Sequence, residues 1–133
     1  MASEVPYGYS RTLPGVGYDE AVNRVTEALK TEGFGVLTTI DVQQTLKQKL
    51  GVDFRRYVIL GACNPQLAHR ALTLEPGVGL LLPCNVVVSD GPEGALVQVV
   101  KPRAMLEVVG RQELAPIAED ADARLRRAMD RLG

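Results

Sequence analysis

A chain of 133 residues has the size of one compact domain, able to bury most of its unfolded surface without disulfide or metal staples. Its 15 basic and 16 acidic side chains leave a net charge of -1, and 46% of its residues are hydrophobic, which excludes a disordered chain and the strongly basic footprint of a general nucleic-acid binder. The two cysteines, neither in a CxxC pair, fit a reducing cytoplasm. The opening MASEVPYGYSRT lacks the basic and then apolar pattern of a signal peptide, and the longest apolar stretch, 78–88, is too short to span a bilayer. These features predict a single cytoplasmic domain over residues 1–133, with neither nucleic acid nor membrane as its partner.

In chain order, Val5, Tyr7, Tyr9 and Leu13 fall on one side of a period-2 pattern, and Pro14, Gly15 and Gly17 follow: a strand, then a loop. Tyr18, Ala21, Val22, Val25, Ala28 and Leu29 recur at helical spacing, with Gly33 where a left-handed C-cap belongs. Phe34 to Ile40 reads as a strand ending at Asp41, which can cap a second helix with Gln44 completing a capping box; Val42, Leu46 and Leu50 form its apolar stripe and Gly51 ends it. Arg56 to Cys63 is an aliphatic strand running into Asn64 and Pro65, the residue types preferred at the N-cap and first position of a helix. The third helix has Leu67, Ala68, Ala71 and Leu72 facing inward, and Glu75, Pro76 and Gly77 close it.

Val78 to Ser89 is almost continuously apolar, as in a strand covered on both faces, but Pro83 removes a ladder donor and implies a bulge or an edge. A turn over 90–94 leads to the strand Ala95 to Lys101, making these two strands a hairpin. From Leu114 to Leu132 the spacing predicts a long amphipathic helix, acidic early and arginine-rich late, an order that complements the helix dipole; its arginines read as a solvated face. The expected architecture is α+β, a sheet of about five strands with helices mainly on one face, with a parallel three-layer sheet as the alternative.

Familiar catalytic motifs are missing. The Gly15, Gly33 and Gly77 G-x-G pairs are followed at the third position by Glu20, Thr38 and Leu82 instead of glycine, so none is a dinucleotide fingerprint. There is no P-loop and no G-x-S-x-G, and His69, the only histidine, falls on the outer side of the third helix. The segments with chemical content are Cys63-Asn64 and Cys84-Asn85. Cys63 precedes a predicted N-cap, where the positive end of a helix favours a thiolate or a bound anion. Cys84 and Asn85 lie in the apolar segment, where a buried amide must find hydrogen-bond partners. With the third helix as a crossover, the two strands become parallel neighbours and both cysteines approach one point at the end of the sheet. Two thiols with no third obvious ligand suit a soft monovalent metal or a redox bridge better than structural zinc, while the plainer and favoured reading of each cysteine is a small buried apolar residue.

The runs Gly33-Phe34-Gly35-Val36-Leu37 and Ile40-Asp41-Val42, with Leu60-Gly61-Ala62-Cys63-Asn64-Pro65 and Gly79-Leu80-Leu81-Leu82-Pro83-Cys84-Asn85-Val86-Val87-Val88, resemble the domain of unknown function 302 family from about Tyr18 into the final helix. The resemblance implies a small α+β homodimer and no established activity or catalytic residues. The ligand candidates are therefore Cys63, Asn64, Cys84 and Asn85, with the cofactor and metal left unidentified. The expected function is a non-enzymatic homodimer that binds a small ligand or a metal; the alternatives are a thiol-dependent redox enzyme using Cys63 and an interaction module without a ligand, since no full set of nucleophile, base and orienting group can be assembled.

Overall fold

The computed structural model describes residues 5–133, so residues 1–4 of the segment read for a leader lie outside the described residues. The strands are β1 (Gly8–Pro14), β2 (Gly35–Asp41), β3 (Tyr57–Cys63), β4 (Cys84–Ser89) and β5 (Gly94–Val100); the helices are α1 (Tyr18–Thr31), α2 (Val42–Leu50), α3 (Pro65–Leu74), α4 (Pro102–Glu107) and α5 (Ala115–Asp130). They form one five-stranded sheet in the order β1-β5-β4-β3-β2, with every neighbouring pair antiparallel. The fold is α+β.

One face of the sheet carries the core. Leu13, Val58, Leu60, Ala62, Val86, Val88, Ala95, Val97 and Val99 alternate along their strands and are buried, with Ala21, Val25 and Leu29 of α1 and Ile117, Ala121, Leu125 and Ala128 of α5 packed over them. The caps fall where the sequence places them. Asp41 Oδ1 accepts the Gln44 N–H at 2.9 Å, Gly51 closes α2 at φ 67°, and Gly33 sits at φ 81° behind α1.

Three expectations are corrected. Residues 76–81 form a 3-10 helix, and Leu82-Pro83 is cis, so the twelve-residue strand shrinks to β4. β4 lies between β5 and β3, so Pro83 marks no sheet edge; the edges are β1 and β2. β3 and β4 are antiparallel neighbours, Ala62 opposite Cys84, because α3 and the 3-10 turn return the chain to the end of the sheet it has just left; a parallel crossover must instead carry it back along the whole strand. The late arginines do lie on an exposed face, with Arg126, Arg127 and Arg131 open to solvent, and three of the four also meet Glu32. Arg127 donates to the Glu32 carboxylate, Arg131 approaches it at 3.9 Å, and Arg124 donates to the Glu32 carbonyl, clamping the end of α1 to α5. The α2 stripe is also shallower than its spacing suggests: no α2 residue is fully buried, and Leu50 is exposed.

Candidate functional site

At the end of the sheet where β3 finishes and β4 begins, α3, the 3-10 turn, α4 and α5 leave a cavity of about 340 Å³. Its floor is Phe34, Ala62 and Cys84, its α3 wall Leu67, Ala68, Ala71 and Leu72, and its roof Met105 and Leu106 of α4 with Ile117 and Ala121 of α5. Cys63, Asn64 and Pro83 are also part of the lining. The walls are almost wholly apolar because each element turns its core-facing stripe toward this point. Leu37, 70% exposed, and Leu72, 39% exposed, form the rim.

Both thiols line this cavity and are unpaired. Burial pushes the buried Cys84 thiol up to about 11, with the neighbouring Cys63 adding to the effect, and burial also raises the half-buried Cys63. Contrary to the helix-terminus argument, the start of α3 does not make Cys63 an activated thiolate, because desolvation dominates there. Two neutral thiols face an apolar space.

Asn64 is buried and committed to structure. Its Oδ1 accepts the Leu67 N–H at 3.2 Å and its Nδ2 donates to the Glu32 carbonyl at 3.4 Å, so one side chain caps α3 and ties it to α1. Gly33 is what lets it approach, since a Cβ there would meet Asn64 Nδ2 at 2.9 Å. Asn85 is exposed and alternates to the sheet face opposite Cys84, outside the cavity lining. The structure thus brings Cys63, Asn64 and Cys84 together and leaves Asn85 out. His69 is exposed, as its helical position predicts.

Sequence reasoning missed α4 and with it Pro102, Met105 and Leu106 of the cavity. A signal was present: Pro102 at a first helical position, followed by Met105, Leu106 and Val109 at helical spacing. Among the described residues no group of three or more His, Cys, Asp and Glu side chains could hold a metal ion, and no helix is long and apolar enough to cross a membrane.

The family model for the domain of unknown function DUF302 matches residues 9–132. The chain belongs to the DUF302 family. The crystal structure of an uncharacterized conserved DUF302 protein from Bacillus stearothermophilus is similar at 35% sequence identity and a TM-score of 0.88, covering 97% of this chain and 100% of that one. No curated protein matches the sequence. The DUF302 match spans every element that builds the cavity, from Phe34 to Ala121.

Proposed function

We propose that this protein is a non-enzymatic binder of a small apolar molecule, held in the cavity beside Cys63 and Cys84. The observation that carries the reading is the cavity itself: about 340 Å³ with nearly all of its lining apolar, a size and character typical of small-molecule sites. The raised thiols argue against a nucleophilic or redox role, which needs a thiolate. Two thiols without a third ligand leave a soft monovalent metal as the weaker form of the same binding reading.

We place the protein in the cytoplasm as a homodimer. Two unpaired cysteines favour the former. Support for the latter is the exposure of Leu37 and Ile40 on edge strand β2 with Leu50, Val52 and Phe54 after it, apolar surface that a lone chain leaves in water.

The test uses N-phenyl-1-naphthylamine, a neutral fluorescent probe, with untagged protein and with Ala68→Phe, whose ring would fill the cavity from its half-buried wall position. Saturable one-to-one binding, weakened at least about tenfold by Ala68→Phe in a variant of unchanged circular dichroism, is the expected result. No binding of the probe, and no co-purified small molecule or metal in native mass spectra, would overturn the reading. Light scattering at micromolar concentration tests the dimer, and a monomer there refutes it.

A further inference from the structure

A second concave site of opposite chemistry lies where β1, the β5–α4 junction and the last turns of α5 meet. It is a cleft of about 260 Å³ lined by Tyr9, Ser10, Arg11, Lys101, Arg126 and Asp130, among others. Two of its walls are held in place. The Tyr9 hydroxyl donates to Asp122 Oδ1 at 2.5 Å, fixing the ring, and the Arg11 guanidinium donates to the Met129 carbonyl at 2.8 Å. Over the fixed ring stand two cations, with Lys101 Nζ 4.9 Å and the Arg126 guanidinium carbon 5.9 Å from its centroid.

Every other arginine late in α5 or at its C-cap has an acidic partner: Arg124 has Asp120, and Arg127 and Arg131 have Glu32. Among the described residues, none of Arg11, Lys101 and Arg126 forms an ion pair. Among the described residues Asp130 is the one carboxylate in the lining, with Asp122 buried behind the Tyr9 hydroxyl, so three lining cations face one lining anion across a small cleft. Like charges converging on a shared ring repel one another, and a compact anion between them removes that cost while accepting hydrogen bonds from guanidinium and ammonium groups.

We propose that this cleft binds a small phosphate-class oxyanion, either inorganic phosphate or a phosphate monoester. Lys101 and Arg126 supply the charged donors above the Tyr9 ring and Arg11 the one anchored to the Met129 carbonyl, with Ser10 on the cleft wall. Both Arg126 and Asp122 belong to α5, whose earlier residues Ile117 and Ala121 roof the apolar cavity, yet no lining residue is shared between the two sites. The inference therefore stands or falls separately from the apolar-ligand reading.

The experiment is isothermal titration calorimetry of the full chain in phosphate-free buffer with inorganic phosphate and with methyl phosphate, repeated for Lys101→Gln and Arg126→Gln and for the control Arg70→Gln on α3. The expected result is saturable one-to-one binding that each cleft variant weakens at least about tenfold and the control leaves unchanged. Tighter binding of methyl phosphate than of inorganic phosphate assigns a monoester, and equal binding assigns the free anion. Absence of saturable heat for both probes, equal weakening by Arg70→Gln, or acetate binding as tightly as phosphate would overturn the proposal. Arg126 is exposed, so its variant folds even if Lys101→Gln does not, and it suffices for the comparison.

Discussion

At its first turns α5 lays Ile117 and Ala121 over an apolar cavity; further along the same helix Arg126 and Met129 border a cleft walled by cations. The helix is one amphipathic element throughout, and the contrast arises from what it meets. Near Ile117 it faces α3, α4 and the end of the sheet, whose inward residues are apolar. Near Arg126 it crosses β1, a sheet-edge strand that turns the long side chains of Tyr9 and Arg11 toward it. An amphipathic stripe therefore specifies that a helix is covered, while the partner decides whether the gap left behind is dry or charged.

The comparison assumes that both ends belong to one cooperative unit, and Leu125, fully buried midway between them, is where to break it. Leu125→Ala is expected to cost about 3 kcal/mol and to lower a single urea transition for the whole chain; two separate transitions would divide the ends into independent units. A smaller effect belongs to the thiol end alone. With its thiol at about 11 in the folded chain and the ordinary value of 9.0 when unfolded, Cys84 is neutral in both states well below pH 9 and its burial is then fully tolerated. As pH climbs from 9 to 11 the unfolded chain ionises first, so stability falls by roughly 2 kcal/mol across that window. Denaturation curves of wild type minus Cys84→Ala isolate this loss, and a flat difference would contradict the burial of the thiol.

At the cationic end the corresponding lever is Tyr9. Asp122 is 4% exposed, its Oδ1 accepts from the Tyr9 hydroxyl, and Oδ2 has no partner among the described residues. Tyr9→Phe leaves both oxygens buried without a hydrogen bond and is expected to cost about 2 kcal/mol in urea denaturation, with the apolar probe still bound. Asn64→Ala sharpens the other side by the smallest amount. It removes the α3 cap for about 1 kcal/mol, while the Glu32 carbonyl keeps Arg124 as a donor, so the loss should stay near that of a cap alone. A much larger value would show that the link from α3 to α1 dominates.

Much of the fold was legible because its signals are local. Asp41, Gly51, Gly33 and Asn64-Pro65 announce element boundaries through the hydrogen bonds and backbone angles their own side chains allow, and each is found at such a boundary. Strand pairing was not local. Nothing between Cys63 and Cys84 states whether the chain returns along the sheet or turns back beside it, and the apolar run 78–88 hid a 3-10 helix because continuous hydrophobicity has no period to distinguish the two. At the candidate site, Cys63, Asn64 and Cys84 were readable from their place at an element boundary or in an apolar run. Asn85 reads as a buried amide from its place in that apolar run, but a strand sends adjacent residues to opposite faces and leaves it exposed.

The sequence by itself determined one α+β domain with helices whose apolar stripes require a sheet to cover, one cysteine at an element boundary and one in an apolar run, since composition, periodicity and capping act within a few residues of chain. Only the tertiary structure decided the antiparallel order, the meeting of both thiols at an apolar cavity with their ionisation suppressed, the use of Asn64 as a tether, and the gathering of Arg11, Lys101 and Arg126 around Tyr9. Those outcomes depend on desolvation and on Coulomb interactions between groups distant in sequence, quantities that have no value until the chain has closed on itself.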